Sequence, residues 1–218
     1  TEFAQRALHY AEDAKHHFSS VSFVSPRGGI LWTGAPHADY YWILAYLFET
    51  DPRKRRDLVE KSVMYGTQAI KLAEGSGYPD IIAYMHHILS KAMVSLAQIE
   101  TNLEEKERLL KKALQHRDES IKITEQLQPF NYWNQGVMWN FLADLKAELS
   151  NVEKDSAIKK NTLEEAVSNK ELCLQLCIKD ILYFEKIGEL SNFIPLGRYQ
   201  YSYGELLSRL YGLTNNSE

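Results

Sequence analysis

The chain has 218 residues, and its 25 basic and 29 acidic side chains leave a formal net charge of −4. Hydrophobic residues make up 44% of the sequence and charged residues 25%, which excludes a disordered or collagen-like chain. The acidic balance argues against nucleic acid as the main partner, and no apolar run approaches the roughly 20 residues that cross a bilayer. Because the sequence starts at Thr1 rather than Met, we expect it to be a fragment of a larger protein.

Every long segment has the apolar periodicity of a helix, and none alternates as a strand does. Chemical signals mark where helices begin. Asp51 precedes Pro52 as an N-cap, and Asn102 and Thr162 each stand three residues before a glutamate, as in a capping box. Helices are therefore predicted near residues 2–18, 37–49, 53–74, 79–99, 103–127, 132–149, 162–187 and 197–211.

The least helical stretch spans residues 19–36 and is rich in glycine, proline and serine. It is longer than most connections between helices, so it could host a function of its own. It contains no Gly-Lys-Ser/Thr sequence, which argues against a phosphate-binding loop. Either a plain connection or a flap over the helices fits this composition.

A repeat becomes visible when the predicted helices are aligned with one another. Residues 56–63 align with residues 107–114, and a third copy follows 53 residues later, at 163–167. Small residues recur at fixed places in these copies, and Cys173 occupies the place of Ala69 and Ser120. Small side chains at such spacings allow a neighbouring helix to approach closely. Alternating first and second helices that repeat in this way predict a helical solenoid.

The repeat resembles the tetratricopeptide repeat (TPR) superfamily. Trp139, Leu142 and Ala143 resemble the family's first-helix pattern of Trp, Leu and Gly, with Lys146 in the place of a Tyr. The second-helix spacing of Ala, aromatic and Ala is resembled by Ser62, Gly66 and Ala69, by Ala113, Arg117 and Ser120, and by Ala166, Lys170 and Cys173. The repeat is 51–53 residues long instead of about 34, and the central aromatic is missing.

The resemblance implies an all-α fold, an α-solenoid or right-handed superhelix of about eight helices in antiparallel pairs, forming a single domain over residues 1–218. It also implies a concave groove lined by the first helices, where a peptide or partner helix would bind. The positions that would face the groove are Tyr84, His87, Lys91, Asn140, Asp144, Tyr201, Glu205 and Arg209. The family's clamp for acidic chaperone tails is not matched, since Asp144 and Glu205 would repel such a tail, so we expect a mixed or basic ligand.

Metal and redox chemistry find little support. Cys173 and Cys177 share one helical face, where they suit packing better than a disulfide, and two thiols alone cannot complete a zinc site. The adjacent histidines at 16–17 and 86–87 point about 100° apart on a helix and therefore cannot share one metal in the usual manner. Free thiols favour a cytoplasmic location. One basic cluster, residues 53–56, lies at a helix start, as a solvated face or a docking patch.

No catalytic signature is present: Gly-x-Ser-x-Gly, Gly-x-Gly-x-x-Gly and Glu-x-x-His are all missing from the sequence. We therefore expect a non-enzymatic scaffold without cofactor or catalytic residues, which binds protein and serves as a regulatory or sensor module. One alternative is a small-molecule-sensing or enzymatic all-α domain with an enclosed pocket beneath residues 19–36. A third possibility is homo-oligomerisation through exposed repeat ends.

Overall fold

The computed structural model describes residues 35–74, 77–127, 131–187 and 196–215. In these ranges the protein consists of seven helices, and no strand occurs in them. The helices are α1 (Ala35–Leu47), α2 (Pro52–Ala73), α3 (Pro79–Ile99), α4 (Leu103–Leu127), α5 (Tyr132–Val152), α6 (Ser156–Ile187) and α7 (Leu196–Asn215). The helix predicted at 2–18 and residues 19–34 of the loop predicted at 19–36 lie outside the described residues, whereas Ala35 and Pro36 belong to α1.

Two of the predicted helix starts are confirmed in atomic detail. The Asp51 carboxylate accepts hydrogen bonds from the amides of Arg53 and Lys54, at 2.8 and 3.2 Å. The Asn102 side chain likewise accepts from the amides of Glu104 and Glu105, at 2.9 and 3.1 Å. These bonds satisfy amides that have no carbonyl partner within the first turn of a helix.

The helix start predicted at residue 162 is wrong. α6 begins at Ser156, and the carboxylate of Asp155 caps it by accepting hydrogen bonds from the amides of Ala157 and Ile158. Thr162 instead lies inside the helix, where its hydroxyl donates to the Ile158 carbonyl at 2.9 Å. The capping-box spacing misled the prediction because Thr can bond back to the preceding turn of a helix.

The chain divides into two compact units, Thr1–Ile123 and Thr124–Glu218. In the first unit, α2 packs against both α1 and α3, and its core includes Ala69, Met85 and Ile88. In the second unit, α6 packs against both α5 and α7 around Ala166 and Leu206. Within each unit, helices that follow one another in the chain pack together, as the predicted helix pairs require.

Small residues lie where helix backbones come closest. The Ser90 hydroxyl of α3 donates to the Ala113 carbonyl of α4 at 2.8 Å, and both residues are completely buried. Their counterparts 53 positions later, Ala143 and Ala166, are also completely buried. Cys173 has no exposed surface either, which fits its predicted role as a small packing residue. The predicted all-α fold of repeated helix pairs is therefore confirmed.

Candidate functional site

The first unit brings together the three residues predicted on α3. Tyr84 and His87 are one turn apart, and their rings stack with centroids 6.5 Å apart. Tyr84 is 44% exposed and donates its hydroxyl to the Asp39 carboxylate of α1 at 2.8 Å. Burial, together with this hydrogen bond, raises the pKa of Tyr84 well above its ordinary value. Tyr84 therefore remains a neutral phenol with a fixed orientation.

A hydrogen bond from a buried cation, Arg117, fixes the orientation of His87. Arg117 of α4 has no exposed surface, and its Nη1 atom lies 2.6 Å from Nδ1 of His87. A guanidinium can only donate, so His87 accepts at Nδ1 and carries its proton on Nε2. Burial and the nearby charge of Arg117 lower the pKa of His87 to about 2. The imidazole is therefore neutral at physiological pH.

Lys91, one turn beyond His87, lies over an aromatic ring of α1. Its Nζ atom is 4.2 Å from the centroid of Trp42, a favourable cation–π distance. Trp42 is fixed in turn, because its indole nitrogen donates to the Ser95 hydroxyl at 3.2 Å. Burial lowers the pKa of Lys91, and the charge of Arg117 lowers it further. The face of α3 thus presents a partly desolvated ammonium group beside a fixed phenol.

The second unit repeats this plan with different chemistry. Lys170 of α6 is fully buried, and its Nζ atom bonds to Asn140 Oδ1 at 2.5 Å and to Asp144 Oδ1 at 2.8 Å. The same ammonium lies 5.8 Å from the ring centroid of Tyr199 in α7. The Asp144 side chain remains 54% exposed, whereas that of Lys170 is 1% exposed. The predicted residues Asn140 and Asp144 therefore do lie together.

Arg117 and Lys170 occupy equivalent places in the repeat. Each comes from a second helix and bonds to a first-helix side chain 30 residues earlier, His87 in one unit and Asn140 in the other. This is the central position at which the TPR pattern has an aromatic residue. In α2 the equivalent residue is Gly66, where an added Cβ would lie 2.9 Å from a methyl group of Leu89. A side chain at that position would require Leu89 to move.

The three predicted residues of α7 do not join the cluster around Lys170. Tyr201 and Glu205 are exposed. Arg209 bonds instead to the end of α5, donating to the carbonyl of Ala147 at 3.1 Å and to Asn151 Oδ1 at 2.7 Å. A cation there compensates the carbonyls at the C-terminal end of a helix, which is a structural role.

Four participants were missed by the sequence analysis, namely Arg117, Lys170, Asp39 and Trp42. Arg117 and Lys170 align with each other in the repeat, but the alignment does not indicate what their charges bind. A cation at a position that packs against another helix was the available signal, because such a charge needs a nearby acceptor. Asp39 and Trp42 carry no such signal, since their contacts depend on how α1 meets α3.

Among the described residues, no three His, Cys, Asp or Glu side chains form a group that could hold a metal ion. A cleft of about 400 Å³ lies beside α6 in the second unit, lined by Lys146, Asn161, Glu164, Glu165, Ser168 and Asn169. The enclosed pocket considered beneath residues 19–36 lies almost entirely outside the described residues. None of the described helices is long and apolar enough to cross a membrane.

Comparison with family models and with curated proteins finds no match. Among solved structures, a de novo designed helical repeat protein is similar to this chain, with a TM-score of 0.41 and 16% sequence identity. The similarity covers 83% of this chain and 94% of the designed protein. The TPR resemblance therefore stays a prediction.

Proposed function

We propose that this chain is a non-enzymatic helical-repeat module that binds a peptide or a partner helix, and that it acts in the cytoplasm as a regulatory or sensor part of a larger protein. One observation carries the proposal: the partly exposed face of α3 presents Tyr84 and Lys91 in orientations that are fixed by Asp39 and Trp42 of α1. No cofactor is needed for this function, because binding depends on a surface that is already formed.

Fixed side chains favour binding because little conformational entropy is lost when a ligand arrives. Tyr84 is held by Asp39, and Lys91 is held over Trp42. Tyrosine contributes large contact areas at interfaces while having few rotatable bonds. The partly exposed phenol and ammonium groups therefore form a suitable anchor for an extended segment or a helix.

The two units differ in the charge that they offer to a ligand. In the first unit, the cations Arg117 and Lys91 stand beside a neutral His87. In the second, the charge of Lys170 is balanced by Asp144, whose carboxylate remains half exposed. Taken separately, the face of the first unit favours acidic groups of a ligand near Lys91, and the face of the second unit favours basic groups near Asp144.

Selection from a random-peptide display library, with the whole chain as bait, tests the proposal. Peptides that bind should lose at least tenfold in affinity when Tyr84→Ala and Lys91→Ala are combined, as measured by fluorescence anisotropy. Met64→Ala with Leu72→Ala is the matched control, since both side chains are exposed on α2 and belong to no cluster described above. If the selected peptides bind the Tyr84/Lys91 variant as tightly as the parent, the α3 face is not the binding surface.

A further inference from the structure

The last described helix, α7, exposes a strip that the other first helices bury. In α3 and α5 the close-approach residues are Ser90 and Ala143, and both are completely buried. The counterpart in α7 is Gly204, which comes 61 residues after Ala143. Gly204 is exposed, and a Cβ added there would meet no atom of the described residues within 4 Å. In the part of the chain that the structure describes, the space that a second helix fills in the earlier pairs is therefore open at α7.

The positions around Gly204 show the same difference. Tyr211 is 70% exposed, whereas its counterparts Ala97 and Ser150 are buried, and Leu207 on the same strip is 41% exposed. The opposite side of α7 is occupied, since Tyr199 and Leu206 pack into the core with α6. α7 thus has the neighbours of a first helix on one side and, among the described residues, no second helix on the other.

The repeat indicates which charge a second helix would bring to this strip. In the preceding pair, Lys170 of the second helix bonds to Asn140 and Asp144 of the first. The same positions in α7 are Tyr201 and Glu205. Glu205 is exposed and forms no ion pair with any described residue. The strip therefore combines a close-approach glycine, two apolar side chains and a carboxylate, Glu205, at the position that corresponds to the Lys170 partner Asp144 in α5.

We propose that α7 docks an amphipathic helix of another polypeptide, and that this helix carries the pattern small–x3–Lys/Arg–x2–small. The first small residue lies against Gly204, the basic residue binds the Glu205 carboxylate, and apolar neighbours cover Leu207 and Tyr211. Ala166, Lys170 and Cys173 of α6 already have this pattern where they face α5. Docking completes a fourth helix pair, and it does not depend on the peptide-binding face of α3.

A peptide with the sequence of residues 157–180, with serine in place of both cysteines and a fluorescent label, is the probe. Titration with the whole chain should give saturable binding by fluorescence anisotropy. Glu205→Lys should weaken binding at least tenfold, and Lys170→Glu in the peptide should restore the affinity for that variant. Gly204→Trp should also weaken binding at least tenfold, since its bulky ring fills the close-approach space, and a Cβ at this position meets no described atom within 4 Å.

The control is the Tyr84→Ala/Lys91→Ala variant, which changes the α3 face and should bind the probe like the parent chain. A loss of binding in this control, or binding that is insensitive to Glu205→Lys or to Gly204→Trp, would overturn the proposal. So would the absence of saturable binding while circular dichroism shows the parent chain and the peptide to be helical. The control also separates this inference from the proposed function, which depends on the two residues that it removes.

Discussion

Replacing Asp144 by alanine should destabilise the second unit far more than replacing Lys170 by methionine. The Lys170 side chain is 1% exposed, and its ammonium bonds to oxygen atoms of Asn140 and Asp144. Asp144→Ala therefore leaves a buried ammonium that keeps only the Asn140 amide of these two partners. Removing one partner of a buried pair costs roughly 3–5 kcal/mol, and the remaining amide favours the lower end, about 3 kcal/mol. Lys170→Met removes the buried charge itself, while the half-exposed Asp144 can be hydrated, so the cost should be about 1 kcal/mol.

Urea unfolding followed by circular dichroism gives these free energies, and hydrogen exchange of the α5 and α6 amides reports on the second unit separately. The double variant should resemble Lys170→Met alone, because no unpaired charge then remains. That result corresponds to a coupling energy of about 3 kcal/mol between the two sites. If Lys170→Met were as damaging as Asp144→Ala, the ammonium would be stabilising through packing or other contacts, and its pairing with Asp144 would not explain its burial.

Three further outcomes follow from local geometry. Gly66→Ala should destabilise the first unit by about 1–3 kcal/mol, since its Cβ would lie 2.9 Å from buried Leu89. Gly204→Ala should instead stabilise its exposed helix by about 0.5–1 kcal/mol. Thermal or urea unfolding measures both changes. Imidazole NMR at pH 5 should show a neutral His87 with its proton on Nε2. His116, whose pKa is lowered to about 4 mainly by burial, should titrate near pH 4 in the same experiment. Because the pKa of His87 is lower in the folded than in the unfolded chain, the contribution of neutral His87 to stability is complete above about pH 6.5 and is lost as the pH falls. His87→Gln should reduce this acid destabilisation, as urea unfolding at several pH values would show.

Much of the fold could be predicted because helix signals are local. Apolar periodicity and the caps at Asp51 and Asn102 located the described helices to within a few residues, apart from the start of α6. There the deciding feature was Asp155, which accepts from amides of the first helical turn as a Thr cap would and lies seven residues, about two turns, before Thr162. Two capping patterns so close together cannot be ranked by spacing alone.

The candidate site could be predicted only in part, because its geometry depends on contacts between helices. Tyr84, His87 and Lys91 share one face by helical spacing, which the sequence contains. Their fixed orientations depend on Asp39 and Trp42 of α1, whose position follows from how two helices pack. The bond of Arg209 to the end of α5 could not be predicted for the same reason: its spacing matches the groove positions, and the contact with α5 depends on how the helices pack.

Each of the two buried cations, Arg117 and Lys170, matches the side chains of the first helix to which it bonds. Arg117 suits a neutral imidazole acceptor at His87, whereas Lys170 suits the amide and carboxylate of Asn140 and Asp144. Arg117→Lys alone should therefore destabilise the first unit, since a shorter ammonium would face His87 and the like charge of Lys91.

Adding His87→Asn and Lys91→Asp to that variant transplants the second unit's trio into the first, and the free energy of unfolding should return towards that of the parent. Unfolding by urea measures the recovery, and Arg117→Lys combined with Lys91→Asp alone shows how much of it comes from charge. If the triple variant is no more stable than Arg117→Lys alone, the two units do not share one construction. The repeated 30-residue spacing of these bonds would then have no energetic meaning.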